Sequence, residues 1–166
     1  MATEHHNLSF FNPKDVPNGV HFKIGIVVSE WNSEITLNLL SGAKQTLLEF
    51  GVKEENILVH YVPGTFELAL GTQFLFENTN IDGAIAIGVV IQGETKHFDF
   101  VCQGATQGII DVSLKYNKHI SFCVLTDLNI QQSFDRSGGK HGNKGIECAI
   151  AALKMIQLHK SISKKD

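Results

Sequence analysis

The chain has 166 residues, which fits one domain. Hydrophobic residues make up 43 % and the mean hydropathy is +0.01, so a full core can form without staples. The net charge of −3, with lysines spread along the chain, leaves no nucleic-acid footprint and no general attraction to anionic membranes.

Residues 1–20 are polar, carry Pro13, Pro17 and Gly19, and are expected as an extended arm. The chain opens without an apolar signal region, and no run approaches the about 18 apolar residues of a membrane span, so a cytoplasmic setting is expected. His21-Phe-Lys-Ile-Gly-Ile-Val-Val-Ser29 ends in a continuous apolar run, which suits a strand covered on both faces. Asn32 or Ser33 can cap the next helix, whose stripe Ile35, Leu39, Ala43, Leu47 and Phe50 ends at Gly51. A second strand is expected over 56–62, a turn at Pro63-Gly64 and a helix over 66–77. A third strand follows over 82–91, then a long helix over 98–117, and a fourth strand over 119–126. A short helix around 129–135, a glycine-rich loop and a last helix over 143–159 complete the domain, 21–160, before a polar tail, 161–166.

Strands alternating with helices imply a parallel sheet with right-handed crossovers. The expected fold is α/β: a single flavodoxin-like domain with four parallel strands and helices on both faces. Sites in such sheets lie beyond the C-terminal strand ends. Those ends here are Glu30-Trp31-Asn32, Pro63-Gly-Thr-Phe-Glu67, 92–97 and Thr126-Asp127, where the out-of-place polar and aromatic residues collect.

The third strand end is the most informative. Gly88-Val-Val-Ile-Gln-Gly-Glu-Thr-Lys-His-Phe-Asp99 runs from a buried strand through a glycine turn into a helix. Such a turn offers free backbone N–H groups to an anion. Thr95 adds a hydroxyl and His97 an imidazole, so a phosphate cradle stands beside a proton-transfer group. The helix N-terminus disfavours the imidazolium and a dianionic phosphate favours it, a balance suited to a group that both takes and gives protons. Cys102, Cys123 and Cys148 form no CxxC pair and lie in apolar stretches, so packed thiols are expected rather than a metal site or disulfide framework. Gly138-Gly-Lys-His-Gly-Asn-Lys-Gly145 fails the P-loop pattern, because Gly follows Lys144 where Ser or Thr is required.

Trp31-Asn-Ser-Glu-Ile-Thr36, Val62-Pro-Gly-Thr-Phe-Glu67, the 88–99 motif and Arg136-Ser-Gly-Gly-Lys-His-Gly-Asn-Lys-Gly-Ile-Glu147 together resemble the 6,7-dimethyl-8-ribityllumazine synthase family. The resemblance covers roughly residues 12–160, in the family's order and spacing. It implies condensation of 5-amino-6-(D-ribitylamino)uracil with 3,4-dihydroxy-2-butanone 4-phosphate, releasing phosphate and water, without metal or organic cofactor. It further implies a homo-pentamer with active sites shared between subunits, an icosahedral shell in some members, and riboflavin synthase as a partner. The arm 1–20 would then add a strand to a neighbour's sheet edge.

The roles implied residue by residue are these. Thr95 and the N–H groups around Glu94 hold the phosphate, with the Glu94 side chain turned away. Arg136, the only arginine in the chain, clamps it from the other side by paired hydrogen bonds. His97 transfers protons. Trp31 stacks on the pyrimidine, Phe66 packs beside it, and Glu67 accepts hydrogen bonds from ribityl hydroxyls. Asn32 and Thr65 belong to the same pyrimidine and ribityl set. Val89, Val90 and Ile91 present backbone groups to the pyrimidine edge, and Phe122 closes the pocket from the adjacent subunit. Lys144 and Glu147, three apart, are secondary and can pair. Gln92 departs from the family, which commonly carries Arg or Lys there, and what that puts in doubt is an ion pair at an interface or behind the site residues. Two competing readings are a non-catalytic flavin- or phosphate-binding module and a purely structural shell subunit.

Overall fold

The computed structural model describes residues 7–163. Four parallel strands form one sheet in the order β2-β1-β3-β4, with β1 at Ile24–Ser29, β2 at Ile57–Val62, β3 at Gly83–Ile91 and β4 at Ile120–Asp127. The expected α/β fold with helices on both faces is the one observed. Helices α1 (Ser33–Glu49) and α5 (Lys144–Ser163) cover one face, while α2 (Leu68–Asn78) and α3 (His97–Tyr116) cover the other. The short α4 (Ile130–Arg136) follows β4.

The apolar runs explain this layering. Every residue of β1 is buried, as a central strand between two helical layers requires. Ile24, Ile26 and Val28 face α1 and α5, whereas Val27 faces the α2–α3 layer. Of the predicted stripe, Ile35, Leu39, Ala43 and Leu47 are buried on the first face, and Phe50 packs against it only partly buried. Leu39 and Leu153, each fully buried, contribute about 1.5–3 kcal/mol apiece by leaving water. The helices α1 and α5 meet closely at Gly145, where an added Cβ would fall 2.0 Å from the Leu39 carbonyl oxygen. Asn143 holds that junction: its Nδ2 donates to Asn38 O at 2.9 Å, and its Oδ1 accepts from Gly145 N at 2.8 Å.

Several boundaries differ from expectation for identifiable reasons. The first strand starts at Ile24, not His21, because Lys23 N donates to Asp82 Oδ2 instead of a ladder partner. The second helix opens as a 3-10 turn, Thr65–Glu67, before α2 proper. The glycine-rich loop is a small antiparallel hairpin, β5 (Ser137–Gly139) with β6 (Gly142–Asn143). Residues 7–20 form no strand; they contain a 3-10 turn, Pro13–Asp15, and pack on their own chain. Leu8 N donates to His141 O at 2.8 Å, Asn143 N donates to Ser9 Oγ at 3.0 Å, and the Phe11 ring meets Phe50 edge-on. The arm's residues 1–6 and the tail's 164–166 lie outside the described residues. Cys123 and Cys148 are buried, but Cys102 is only partly so.

Candidate active site

The strands β1 and β3 are neighbours, so their C-terminal ends and the chain after β2 open onto one cavity of about 800 Å³. This is the expected position for a site in a parallel sheet. Its walls come from three turns: Trp31 and Asn32 after β1, Gly64–Glu67 after β2, and Val89–Ile91, Gly93, Thr95 and His97 at and beyond the end of β3.

Each wall has a local cause. After β1, Thr36 Oγ1 donates to Ser29 O at 2.9 Å and Glu30 N donates to Val62 O at 2.8 Å, which fixes the turn. Asn32 sits at the N-cap position in the left-handed conformation (φ 57°, ψ 49°), which Asn tolerates better than most residues. Its side chain makes no capping hydrogen bond, contrary to expectation; its carbonyl accepts from Ile35 N and Thr36 N instead. Trp31 is 70 % exposed at the cavity mouth, a costly place for an indole unless a flat ligand covers it.

After β2, Thr65 is buried and its hydroxyl donates to Val89 O at 3.2 Å, tying the second turn to β3. Phe66 projects from the 3-10 turn onto α3 at Gly104, where any Cβ would come within 2.5 Å of its ring. Glu67 is exposed and lines the cavity.

Beyond β3 the chain turns through residues 92–96 into α3. Gln92 N is taken by Asp127 O. The N–H groups of Gly93, Glu94, Thr95 and Lys96 meet no acceptor among the described residues. Thr95 Oγ1 accepts from His97 N at 3.3 Å. His97 is the first residue of α3 and is exposed to the cavity. Gly93 and Thr95, whose N–H groups are free, thus share one wall with a hydroxyl and an imidazole, an arrangement suited to anion binding with proton transfer alongside. Glu94 is exposed and does not line the cavity.

Two site candidates lie elsewhere in the chain. Phe122 is half-buried on the edge strand β4 and lines a separate groove of about 880 Å³ on the other side of α3, with Cys102, Gly104, Thr126 and Leu128. Arg136 ends α4; its Nη1 donates to Gln132 O at 2.9 Å and stands 3.9 Å from Asp127 Oδ1. Neither residue lines the cavity that holds His97.

Lys144 and Glu147 pair as their spacing predicts, Nζ to Oε1 at 2.8 Å. Burial is the largest single influence and would lower Lys144 and raise Glu147, but their hydrogen bond and the surrounding charges together outweigh it: Lys144 is held above the usual ammonium value and Glu147 below the usual carboxylate value. Cys123 is pushed well up by its hydrogen bond with Cys148 and by burial, so its thiol is unreactive. No group of three metal-ligating side chains occurs among the described residues. None of their helices is long and apolar enough to cross a membrane.

A family model for 6,7-dimethyl-8-ribityllumazine synthase matches residues 21–160. The chain belongs to the 6,7-dimethyl-8-ribityllumazine synthase family. Its curated relatives of that name include those of Flavobacterium johnsoniae, 52 % identical over 98 % of this chain and 86 % of the relative, and Christiangramia forsetii, 55 % identical over 96 % of each. That of Porphyromonas gingivalis is 49 % identical over 96 % of this chain and 99 % of its own length. Lumazine synthases are transferases of riboflavin biosynthesis.

Sequence reasoning missed part of this cavity. Phe98, Phe100 and Val101, on the first turns of α3, also form its wall. Their signal was present: Phe98 lies inside the 88–99 motif beside His97, and Phe100 and Val101 come directly after it.

Proposed function

We propose that this chain catalyses the lumazine synthase condensation in the cavity between the ends of β1, β2 and β3. The observation that carries the reading is the shared wall of free N–H groups, Thr95 hydroxyl and His97 imidazole, facing an exposed Trp31 across one cavity. The pyrimidine stacks on Trp31 beside Phe66, its edge read by the main chain of Val89, Val90 and Ile91. Asn32, Thr65 and Glu67 meet its polar groups and the ribityl chain. The phosphate of the butanone lies on the N–H groups around Glu94 and on Thr95.

The chemistry asks little beyond positioning and proton movement. The 5-amino group adds to the ketone and loses water to form an imine. Removal of a proton beside the imine and departure of phosphate leave an enol, which takes a proton at its methylene carbon to become a methyl ketone; the ribitylamino nitrogen then closes the ring on that carbonyl with loss of a second water. His97 lies where one imidazole can accept the proton taken from carbon and return it to an oxygen leaving as water. The phosphate cradle stabilises the departing dianion.

Arg136 and Phe122 support the second part of the proposal. Both lie on the β4 side of the subunit, away from its own cavity. A second copy docked with its β4 edge beside the first copy's α3 would bring an arginine to the phosphate and an aromatic ring over the pyrimidine. The functional unit is therefore a homo-oligomer with shared sites, read as a pentamer that closes into a shell. Lys144 and Glu147, at the start of α5, support charge placement near that junction.

Mixing the two substrates with the chain tests the activity. Growth of lumazine absorbance with stoichiometric phosphate release is expected; binding of the pyrimidine without phosphate release would reject catalysis. Sedimentation showing only monomer at assay concentration would reject the shared site.

A further inference from the structure

The last residue of β4 is a buried carboxylate that the reading above leaves without a task. The Asp127 side chain is only 8 % exposed. Its Oδ2 accepts from Ser133 Oγ at 2.7 Å, and its Oδ1 faces Arg136 Nη1 at 3.9 Å. A carboxylate taken from water is costly unless a cation faces it. Arg136 is that cation, and Gln92, at the adjoining end of β3, offers no second one.

The surroundings are stiff. Gln92 N donates to Asp127 O, which joins the ends of β3 and β4. Asn129 Oδ1 caps α4 by accepting from Gln132 N, and Gln132 Oε1 accepts from Leu128 N. Ser133 itself is fully buried. Arg136 then uses one nitrogen, Nη1, for both its contacts, to Gln132 O and toward Asp127. Its Nη2 and Nε have no partner among the described residues and remain for a ligand.

We propose that Asp127, fixed by Ser133, is a positioning residue that orients the guanidinium of Arg136 toward the phosphate of the butanone substrate. An arginine on a free stem loses much rotamer freedom when it grips an anion; one anchored at Nη1 has lost it beforehand and presents its open edge in a set direction. The proposal rests on the assignment of Arg136 to phosphate, made above.

Steady-state kinetics of the assembled full-length enzyme, varying each substrate in turn, test it. Asp127→Asn keeps the shape and an acceptor for Ser133 but removes the charge. Its KM for the phosphorylated butanone is expected to rise about tenfold while that for the pyrimidine stays within about twofold. Ser133→Ala, which leaves the carboxylate unanchored, gives a smaller rise for the same substrate and carries the test if Asp127→Asn does not assemble. Arg136→Ala raises the same KM further, and in that background neither variant adds anything. Equal rises for both substrates, an effect that persists without Arg136, or tighter phosphate binding in Asp127→Asn would overturn the proposal; the last would make Asp127 a competitor for the guanidinium. A selective loss in Arg136→Ala with none in Asp127→Asn or Ser133→Ala refutes the role of Asp127 alone. No selective loss in Arg136→Ala refutes the phosphate assignment, and the proposal with it.

Discussion

Gly104 and Phe66 share one space: a Cβ on the glycine would stand 2.5 Å from Cε2 of the ring. The long helix α3 gives up a side chain at the point where the aromatic wall of the cavity leans on it. Gly104→Ala should therefore push Phe66 off its seat without harming the helix, since Ala is the better helix former. The expected result is a KM for the pyrimidine raised about three- to tenfold with an unchanged melting temperature, measured by steady-state kinetics and thermal unfolding. Unaltered kinetics would show that the ring does not touch substrate.

His97→Ala should slow turnover by about 10²- to 10⁴-fold, the usual worth of a positioned acid–base group. Because the side chain is exposed at the start of α3, assembly and melting temperature should not change. Wild-type rates in the variant, followed by lumazine absorbance, would take His97 out of the mechanism.

His119 is a structural imidazole whose effect on stability depends on pH. Ser121 Oγ donates its one proton to Cys148 O, so His119 Nε2–H must be the donor across the 2.9 Å to Ser121 Oγ. Burial lowers its pKa below the ordinary imidazole value. Below that ordinary value the unfolded chain takes up a proton that the folded chain refuses, so this site costs stability as the pH falls through it; well above it the cost vanishes. His119→Gln retains a donor and removes the titration. Its urea midpoint should fall less than that of the wild type between about pH 7.5 and 5.5. Parallel curves for the two proteins would contradict this.

Gly145→Ala should be among the most damaging small substitutions. The added methyl would meet the Leu39 carbonyl at 2.0 Å, and the obstruction is backbone, not a side chain that can swing away. Separating α1 from α5 should cost about 1–3 kcal/mol, read from denaturant unfolding. Wild-type stability would mean that α5 shifts freely along α1.

Much of this fold was legible because its signals are local. The run ending at Ile87 reads as a buried strand, and the glycine turn with Thr95 and His97 marks from sequence alone the stretch whose N–H groups the structure leaves unpartnered. What was not legible depends on distant partners. The hairpin of β5 and β6 read as a loop because it is pinned by Leu8 and Ser9, more than 130 positions away. Asn32 read as a helix cap, yet Thr36 binds Ser29 O and leaves the asparagine side chain uncapping in a left-handed turn. Asp127 was only one polar residue at a strand end until Ser133 and Arg136 came to face it.

The contacts of Leu8 with His141 and of Ser9 with Asn143 impose an order on how the molecule takes shape. As the polypeptide leaves the ribosome, Leu8 and Ser9 wait for these partners until almost the whole domain has been synthesised. Closing so long a loop is slow, and the reward arrives late. Those two bonds form late, after the central layers, and a newborn subunit that has yet to make them leaves the β5–β6 turn open to whatever reaches it first.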